Sequence, residues 1–223
     1  MLVIPGVHEI GLGFVNAFLI EDAGGLTLID TGIPGHHRKI IAYLKEIGKT
    51  PKDIKRILAT HSDVDHIGSL AAMKKRSGAT VYASAVEAEG IARGKSTRAS
   101  RVRKRSLVRR ILMSTMLRVK PVVVDETLKE GDELPVRGGL VAVETFGHTP
   151  GHLSFLLKDG RVLFCGDSLR VDNGVLISSR PDYTDDAEQA EASYRKQAAL
   201  KPAVICFGHG PFAKDPAALF AAR

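Results

Sequence analysis

Four apolar runs in this chain end alike, in a short polar turn that carries histidine or aspartate. Ile54 to Thr60 leads into His61-Ser62-Asp63-Val64-Asp65-His66. Leu140 to Phe146 leads into Gly147-His148-Thr149-Pro150-Gly151-His152. Arg161 to Cys165 ends in Gly166-Asp167, and Ala203 to Phe207 ends in Gly208-His209. In the last three, glycine directly precedes the His or Asp, so the backbone can turn sharply and aim that side chain inward. Imidazoles and carboxylates at this density are costly to gather unless something cationic sits among them. These strand ends therefore carry the candidate cation ligands.

The first cluster is the densest. On an extended segment His61, Asp63 and Asp65 point to the same side, and His66 turns in as the chain leaves for a helix. With the later strand ends this gives His61, Asp63, Asp65, His66, His148, Asp167 and His209. Seven such ligands suit two adjacent divalent cations, with one carboxylate able to bridge them.

The remaining pattern supplies the frame. Val7 to Leu12, Val15 to Glu21 and Leu26 to Asp30 read as strands, with a hairpin turn at Gly24-Gly25. Helical spacing follows over His36 to Ile47, with Gly48 as a stop, then over Ile67 to Arg76. Thr80 to Ala83, Val122 to Thr127 and Leu153 to Lys158 are further strands. Asp185 to Leu200 and Pro216 to Ala222 are further helices. Two successive sets of strands and helices predict packed sheets with helices outside, a layered α/β architecture.

With these motifs in place, the chain resembles the metallo-β-lactamase-fold hydrolase superfamily. The resemblance rests on Leu28-Ile-Asp-Thr-Gly32, the Thr60 to Gly68 cluster, Gly147-His-Thr-Pro-Gly151, Gly166-Asp167 and Gly208-His-Gly210, and it spans almost the whole chain. It implies a four-layer αββα sandwich with the site at one edge between the sheets. It also implies a single domain over residues 1–223, with a basic helical insertion at about 93–120. By resemblance, His61, the residue at 63 and His148 hold the first cation. Asp65, His66 and His209 hold the second, and Asp167 bridges. Asp65 and Asp167 are the catalytic carboxylates, with Asp65 relaying a proton. Asp30 supports the ligands, though it can instead cap the Thr31-Gly32 turn. His152 is a supporting or packing residue.

The implied activity is dinuclear hydrolysis, in which metal-activated hydroxide attacks an ester, thioester or lactone of a small, anionic or acyl-bearing substrate. The departure from the family pattern His-x-His-x-Asp-His is at Asp63. A carboxylate there moves the first site from one suited to Zn²⁺ towards Fe or Mn. An alternative is thus a non-haem iron redox protein of the same fold, although this chain shows no flavin-binding domain.

The net charge of +7 is concentrated in one segment. Between Glu89 and Asp125 lie 11 Lys or Arg residues and no acidic one, which leaves 21 basic against 25 acidic side chains elsewhere. Ser100 to Val119 reads as an amphipathic helix ended by Pro121. It is read as a solvated face over an apolar stripe, or as a cover to the site. In the second case Arg109, Met113 and Met116 contact substrate; Tyr183, in the Ser168 to Asp186 loops, reads either as a hydrogen-bond donor to a substrate carbonyl or as a packing or surface residue. A nucleic-acid or membrane-surface role for this helix is the disfavoured alternative, and packing across a homodimer is a further one. His8, His36 and His37 read as surface or loop residues, and Cys165 and Cys206 as buried, inert thiols. No apolar run reaches the roughly 18–20 residues of a membrane span, and no secretory signal is evident, so the cytoplasm is the expected location.

Overall fold

The computed structural model describes residues 1–99 and 118–221. The basic helix expected over 100–119, with Arg109, Met113 and Met116, lies almost wholly outside the described residues.

Among the described residues, one sheet has seven strands in chain order: β1 (Leu2–Ile4), β2 (Val7–Gly11), β3 (Asn16–Asp22), β4 (Gly25–Ile29), β5 (Ile54–Leu58), β6 (Thr80–Ala83) and β7 (Glu126–Thr127). Helices α1 (His37–Glu46), α2 (Val64–Ile67), α3 (Leu70–Ser77) and α4 (Ala85–Arg93) connect or follow its parallel strands. The other large sheet is built from β8 (Glu133–Leu134), β9 (Leu140–Glu144), β10 (Leu153–Leu157), β11 (Val162–Gly166), β14 (Val204–Phe207) and β15 (Ala213–Lys214), in the order β15-β14-β11-β10-β9-β8. A hairpin of β12 (Leu169–Asp172) and β13 (Val175–Ser178) leaves this sheet, and α5 (Ala187–Ala199) and α6 (Ala217–Ala221) complete the chain.

Strand alternation divides the core into three seams, and these define four layers. Phe18, Ile20, Ile29 and Leu58 of the first sheet meet Phe155, Phe164 and Cys206 of the second between the sheets. Their sequence neighbours Leu19, Leu28 and Ile57 face outward onto Ile40, Leu44, Leu70 and Met73 of α1 and α3. On the far side Leu163, Cys165, Ile205 and Phe207 pack on Tyr194 of α5, with Leu219 and Phe220 of α6 alongside. The result is an αββα sandwich.

Strand directions decide where the polar ends fall. β4, β5 and β6 are parallel, β11 and β14 are parallel, and β9 shares their direction through two antiparallel pairings with β10. The carboxyl ends that precede residues 30, 61, 145, 167 and 208 therefore lie along common edges. Asn16 ties the two sheets there. Its backbone N–H donates to Gly208 O (2.8 Å), and its side-chain amide donates to Phe207 O (3.1 Å) and Gly210 O (2.7 Å).

Several local expectations change. The helix expected from Ile67 begins at Val64, breaks at Gly68-Ser69 and resumes at Leu70. Asp63 is its N-cap, so Asp65 sits on a helical turn and not on the extended segment, and His66 follows it on that turn as expected. Only Glu126–Thr127 of the expected 122–127 strand pairs. Just upstream Asp125 pairs with Val81 in a mixed way: its backbone N–H donates to Val81 O (2.9 Å), while its side chain accepts from Val81 N–H (2.8 Å). The loops expected over 168–186 contain the β12–β13 hairpin, turned by Asn173 (φ 51°) and Gly174 (φ 81°), an Asn-Gly signal of the type that closes tight hairpins. His8 is buried, not surface: its Nε2 meets Glu21 (2.7 Å) and its Nδ1 the Tyr43 hydroxyl (2.9 Å). No described helix is long and apolar enough to cross a membrane.

Candidate metal centre

The loop after β5 is fixed from below by Asp30. This residue holds a left-handed backbone (φ 59°), uncommon outside glycine, at the end of β4. One carboxylate oxygen accepts from Thr60 N–H (2.9 Å). The other accepts from the Thr60 hydroxyl (2.8 Å) and meets His66 Nδ1 (2.8 Å). The Thr60 hydroxyl also meets His61 Nδ1 (2.9 Å). Two imidazoles are thereby oriented through Nδ1, which leaves Nε2 of each facing inward.

The opposite bank comes from the second sheet. Gly147 has φ 126°, and a Cβ there would lie 2.3 Å from Ala190 N of α5, so only glycine lets this turn deliver His148. Gly208 serves through space, not conformation: a Cβ would fall 2.5 Å from Asp167 Oδ1 and 2.9 Å from the His66 ring. His209 is oriented by its Nδ1 on Phe14 O (2.6 Å).

Three groups of potential ligand atoms result, each with its atoms within 4.8 Å of one another: His61, Asp63 and His148; Asp65, His66 and His209; and His61, His66 and Asp167. The structure thus gathers all seven positions singled out in the sequence, with Asp167 placed between both sets. His66 Nε2 lies 3.2 Å from Asp167 Oδ1, close enough for an ion pair but not aligned as a hydrogen bond. His61 Nε2, His66 Nε2, both nitrogens of His148 and Asp167 Oδ1 are buried with no hydrogen-bond partner. Orphaned polar atoms at this density are costly. A divalent cation accepts such lone pairs, and the donor set suits one.

The electrostatics agree. Burial pushes His61 well below the ordinary imidazole range, so it presents a neutral lone pair. Burial also lowers His66, but the charges of Asp167 and Asp30 outweigh it and raise the ring well above its usual value. Burial would raise Asp167, yet the facing His66 and His209 hold it well below the carboxylate range. The site has negative charge to place, and a cation would take the role the proton plays on His66.

His152 behaves differently. Its Nδ1 meets the Thr145 hydroxyl (2.8 Å), and its Nε2 accepts from the backbone N–H of Asp167 (3.1 Å). Burial lowers its pKa to about 3, so both nitrogens are occupied in the neutral form. It holds the Asp167 turn and belongs to none of the ligand groups, nor do His36 and His37 at the start of α1.

Sequence reasoning missed the residues that clamp the site from α4 onward. Glu87 is fully buried, and its carboxylate accepts from Ser62 N–H (2.9 Å), the Thr97 hydroxyl (2.9 Å), the Thr149 hydroxyl (2.6 Å) and Gly151 N–H (3.1 Å). It joins the loop of His61 to that of His148. The Ser84-x-x-Glu87 spacing is a capping-box signature and signals the helix. The Ser84 cap forms on Glu87 N–H (3.1 Å), while the Glu87 side chain is turned to the site. Asp63 is held too, by the Ser96 hydroxyl on Oδ1 and by Arg98 Nη2 on Oδ2 (2.7 Å).

Asp63, Asp65, His148, Asp167 and His209 line a cavity of about 730 Å³. Arg98, Arg170, Arg180 and Tyr183 line the same space. Tyr183 uses its backbone carbonyl and ring face to hold Arg98, at 3.0 Å and 5.5 Å. The thiols of Cys165 and Cys206 are buried outside this lining, and burial raises both well above the ordinary thiol range.

A family model described as the metallo-beta-lactamase superfamily matches residues 10–209. The probable metallo-hydrolase YflN of Bacillus subtilis is 29% identical, over 92% of this chain and 84% of its own length. A hydroxyacylglutathione hydrolase of Ruegeria pomeroyi is 28% identical over 86% of this chain, which spans 61% of that protein. Among solved structures, a HARLDQ-motif mutant of a metallo-beta-lactamase from Cronobacter sakazakii superposes with a TM-score of 0.75 at 27% identity, covering 94% of this chain and 79% of its own.

Proposed function

The chain belongs to the metallo-beta-lactamase superfamily and is a metallohydrolase, and from that premise we propose that it uses two zinc ions to hydrolyse a small, anionic ester, thioester or lactone. The observation that carries this reading is the set of buried, unpartnered atoms of His61, His66, His148 and Asp167 beside an open cavity. His61, Asp63 and His148 would hold the first cation and Asp65, His66 and His209 the second, with Asp167 beside both sets. Bound cations supply a lowered water pKa and polarise the oxygen on which charge develops.

The chain's own residues do the rest. Asp30 and Thr60 fix two imidazoles, Glu87 fixes the loops that carry His61 and His148, and His152 fixes the turn of Asp167. Asp65 lies on the cavity wall with its side chain 23% exposed, where it takes up the proton released by the attacking water. Arg170 and Arg180 give the cavity a basic wall suited to an anionic group on the substrate. Arg170 Nε is buried without a hydrogen-bond partner. The hydroxyacylglutathione hydrolase relative supports an acyl thioester as the member of this class to try first.

Elemental analysis coupled to a panel of ester, thioester, lactone and phosphodiester substrates tests the reading. Two metals per chain and turnover of an acyl ester or thioester that stops on chelation are expected; full turnover in demetallated protein would sink it. Asp63 favours a second reading, an iron-holding redox protein, because a carboxylate in place of imidazole suits Fe or Mn. Zinc alone, at two per chain in protein expressed without added metal, removes that reading.

A further inference from the structure

The segment after α4 lies as a strap across the loop of the first cation site. Thr97 N–H donates to Ser62 Oγ (2.9 Å), the Thr97 hydroxyl donates to Glu87, and Ala99 N–H donates to Asp185 (3.0 Å). Between these anchors Ser96 and Arg98 both reach Asp63. The Ser96 hydroxyl donates to Oδ1. Arg98 Nη2 meets Oδ2 at 2.7 Å, the same oxygen that lies 3.4 Å from His148 Nε2 and 3.8 Å from His61 Nε2. Arg98 cannot swing away freely. Its Nη1 donates to Tyr183 O (3.0 Å), and its guanidinium lies over the Tyr183 ring.

One buried carboxylate oxygen thus faces a fixed guanidinium on one side and two ligand imidazoles on the other. We propose that Asp63 and Arg98 form a single charge-neutral unit at the first cation site. Arg98 is a positioning residue that acts through Asp63: it cancels the negative charge Asp63 brings, while Ser96 holds the other carboxylate oxygen. The proposal rests on the reading of this cluster as a dinuclear metal centre.

The physical argument is one of charge. A ligand histidine at position 63 would bring no net charge, whereas Asp63 brings one negative charge and Arg98 returns it. A guanidinium left unpaired beside a divalent cation repels it. The repulsion is strong because the Arg98 side chain is only 23% exposed and poorly screened by solvent. Asp63 is therefore required because Arg98 is present, and histidine becomes acceptable once Arg98 is gone.

A double-mutant cycle on the full chain tests this, with stepwise zinc affinities read by competition against a chromophoric chelator. Asp63→His alone is expected to weaken one zinc step at least about tenfold, because the guanidinium is then unpaired beside the cation. Adding Arg98→Gln to Asp63→His is expected to recover that loss. Arg98→Gln alone, which leaves the Asp63 charge uncancelled and Ser96 still holding Oδ1, is expected to tighten one zinc step by about tenfold. Arg98→Lys, which keeps the charge, is expected to stay within about threefold of wild type.

Equal zinc affinity in Asp63→His and the double variant would overturn the pair, as would zinc binding by Arg98→Gln that is unchanged or weaker. The Arg98 single variants keep the test decisive if Asp63→His does not fold. A wild-type chain that binds no zinc, cobalt or iron would overturn the metal-centre reading together with this one. Two bound metals with additive variant effects would overturn the pair alone.

Discussion

His8 and His66 are both buried histidines beside a carboxylate, at 2.7 Å from Glu21 and 2.8 Å from Asp30. By burial and charge partner they are alike; they differ in the second nitrogen. In His8 it meets the Tyr43 hydroxyl, and in His66 it has no hydrogen-bond partner and faces Asp167 and the ring of His209. A buried histidine satisfied at both nitrogens is a structural cross-link. One that is oriented through Nδ1 and orphaned at Nε2 is prepared for a ligand. The same criterion places His61 with His66, and His152 with His8.

The comparison breaks most visibly if ligand removal is tolerated. His66→Ala and Asp167→Ala are each expected to lower metal affinity and turnover together by at least about a hundredfold, more than loss of a supporting residue usually costs. Metal content and kinetics measured on the same preparations check this. Glu87→Ala leaves Ser62 N–H, Gly151 N–H and the Thr149 hydroxyl without their acceptor, and is expected to cost about 3 kcal/mol in denaturant unfolding. Asp30→Asn keeps a residue that tolerates the left-handed backbone but removes the charge behind His66. A loss of about 10–100-fold in zinc affinity is expected.

His8→Ala sharpens the comparison from the other side. It is expected to cost about 1–2 kcal/mol of stability while leaving metal content per chain unchanged. A drop in bound metal would show that the second-nitrogen criterion does not separate the two kinds of histidine. The smallest effect concerns pH. The hydrogen bond from His8 holds Glu21 below its ordinary value of 4.5. Its stabilising contribution is therefore present above that pH and lost as pH falls through the lower folded-state value. Glu21→Gln is expected to flatten that part of the acid limb in a stability profile taken from pH 6 downward.

Much of the centre was legible because its chemistry is local. The apolar runs with Gly-His or Gly-Asp ends announce both a strand and what stands at its tip, and alternation along those runs predicts the layers. Glu87, Ser96 and Arg98 were not legible, because what they do depends on partners brought near only by folding. Glu87 reads as a cap residue and Arg98 as one charge in a basic run, until α4 is seen to lie beside the His61 loop. The α2 start was missed because Asp63 serves both as N-cap and as part of the ligand cluster. The Asn173-Gly174 hairpin, by contrast, carried a readable local signal.

The proposed ligands divide by half of the chain: residues 61 to 66 follow the first sheet, and residues 148, 167 and 209 follow the second. Asn16 clasps the two halves beside the last of them, through Phe207, Gly208 and Gly210. His148, Asp167 and His209 come from the ends of three different strands of the second sheet, so the proposed site is complete only where the two sheets face each other. Cations held as proposed would act as a fastener between two sheets that, among the described residues, meet through an apolar seam and hydrogen bonds such as those of Asn16. By mass action the grip of that fastener scales with free metal, so a scarcity of metal would loosen the architecture as well as silence the chemistry.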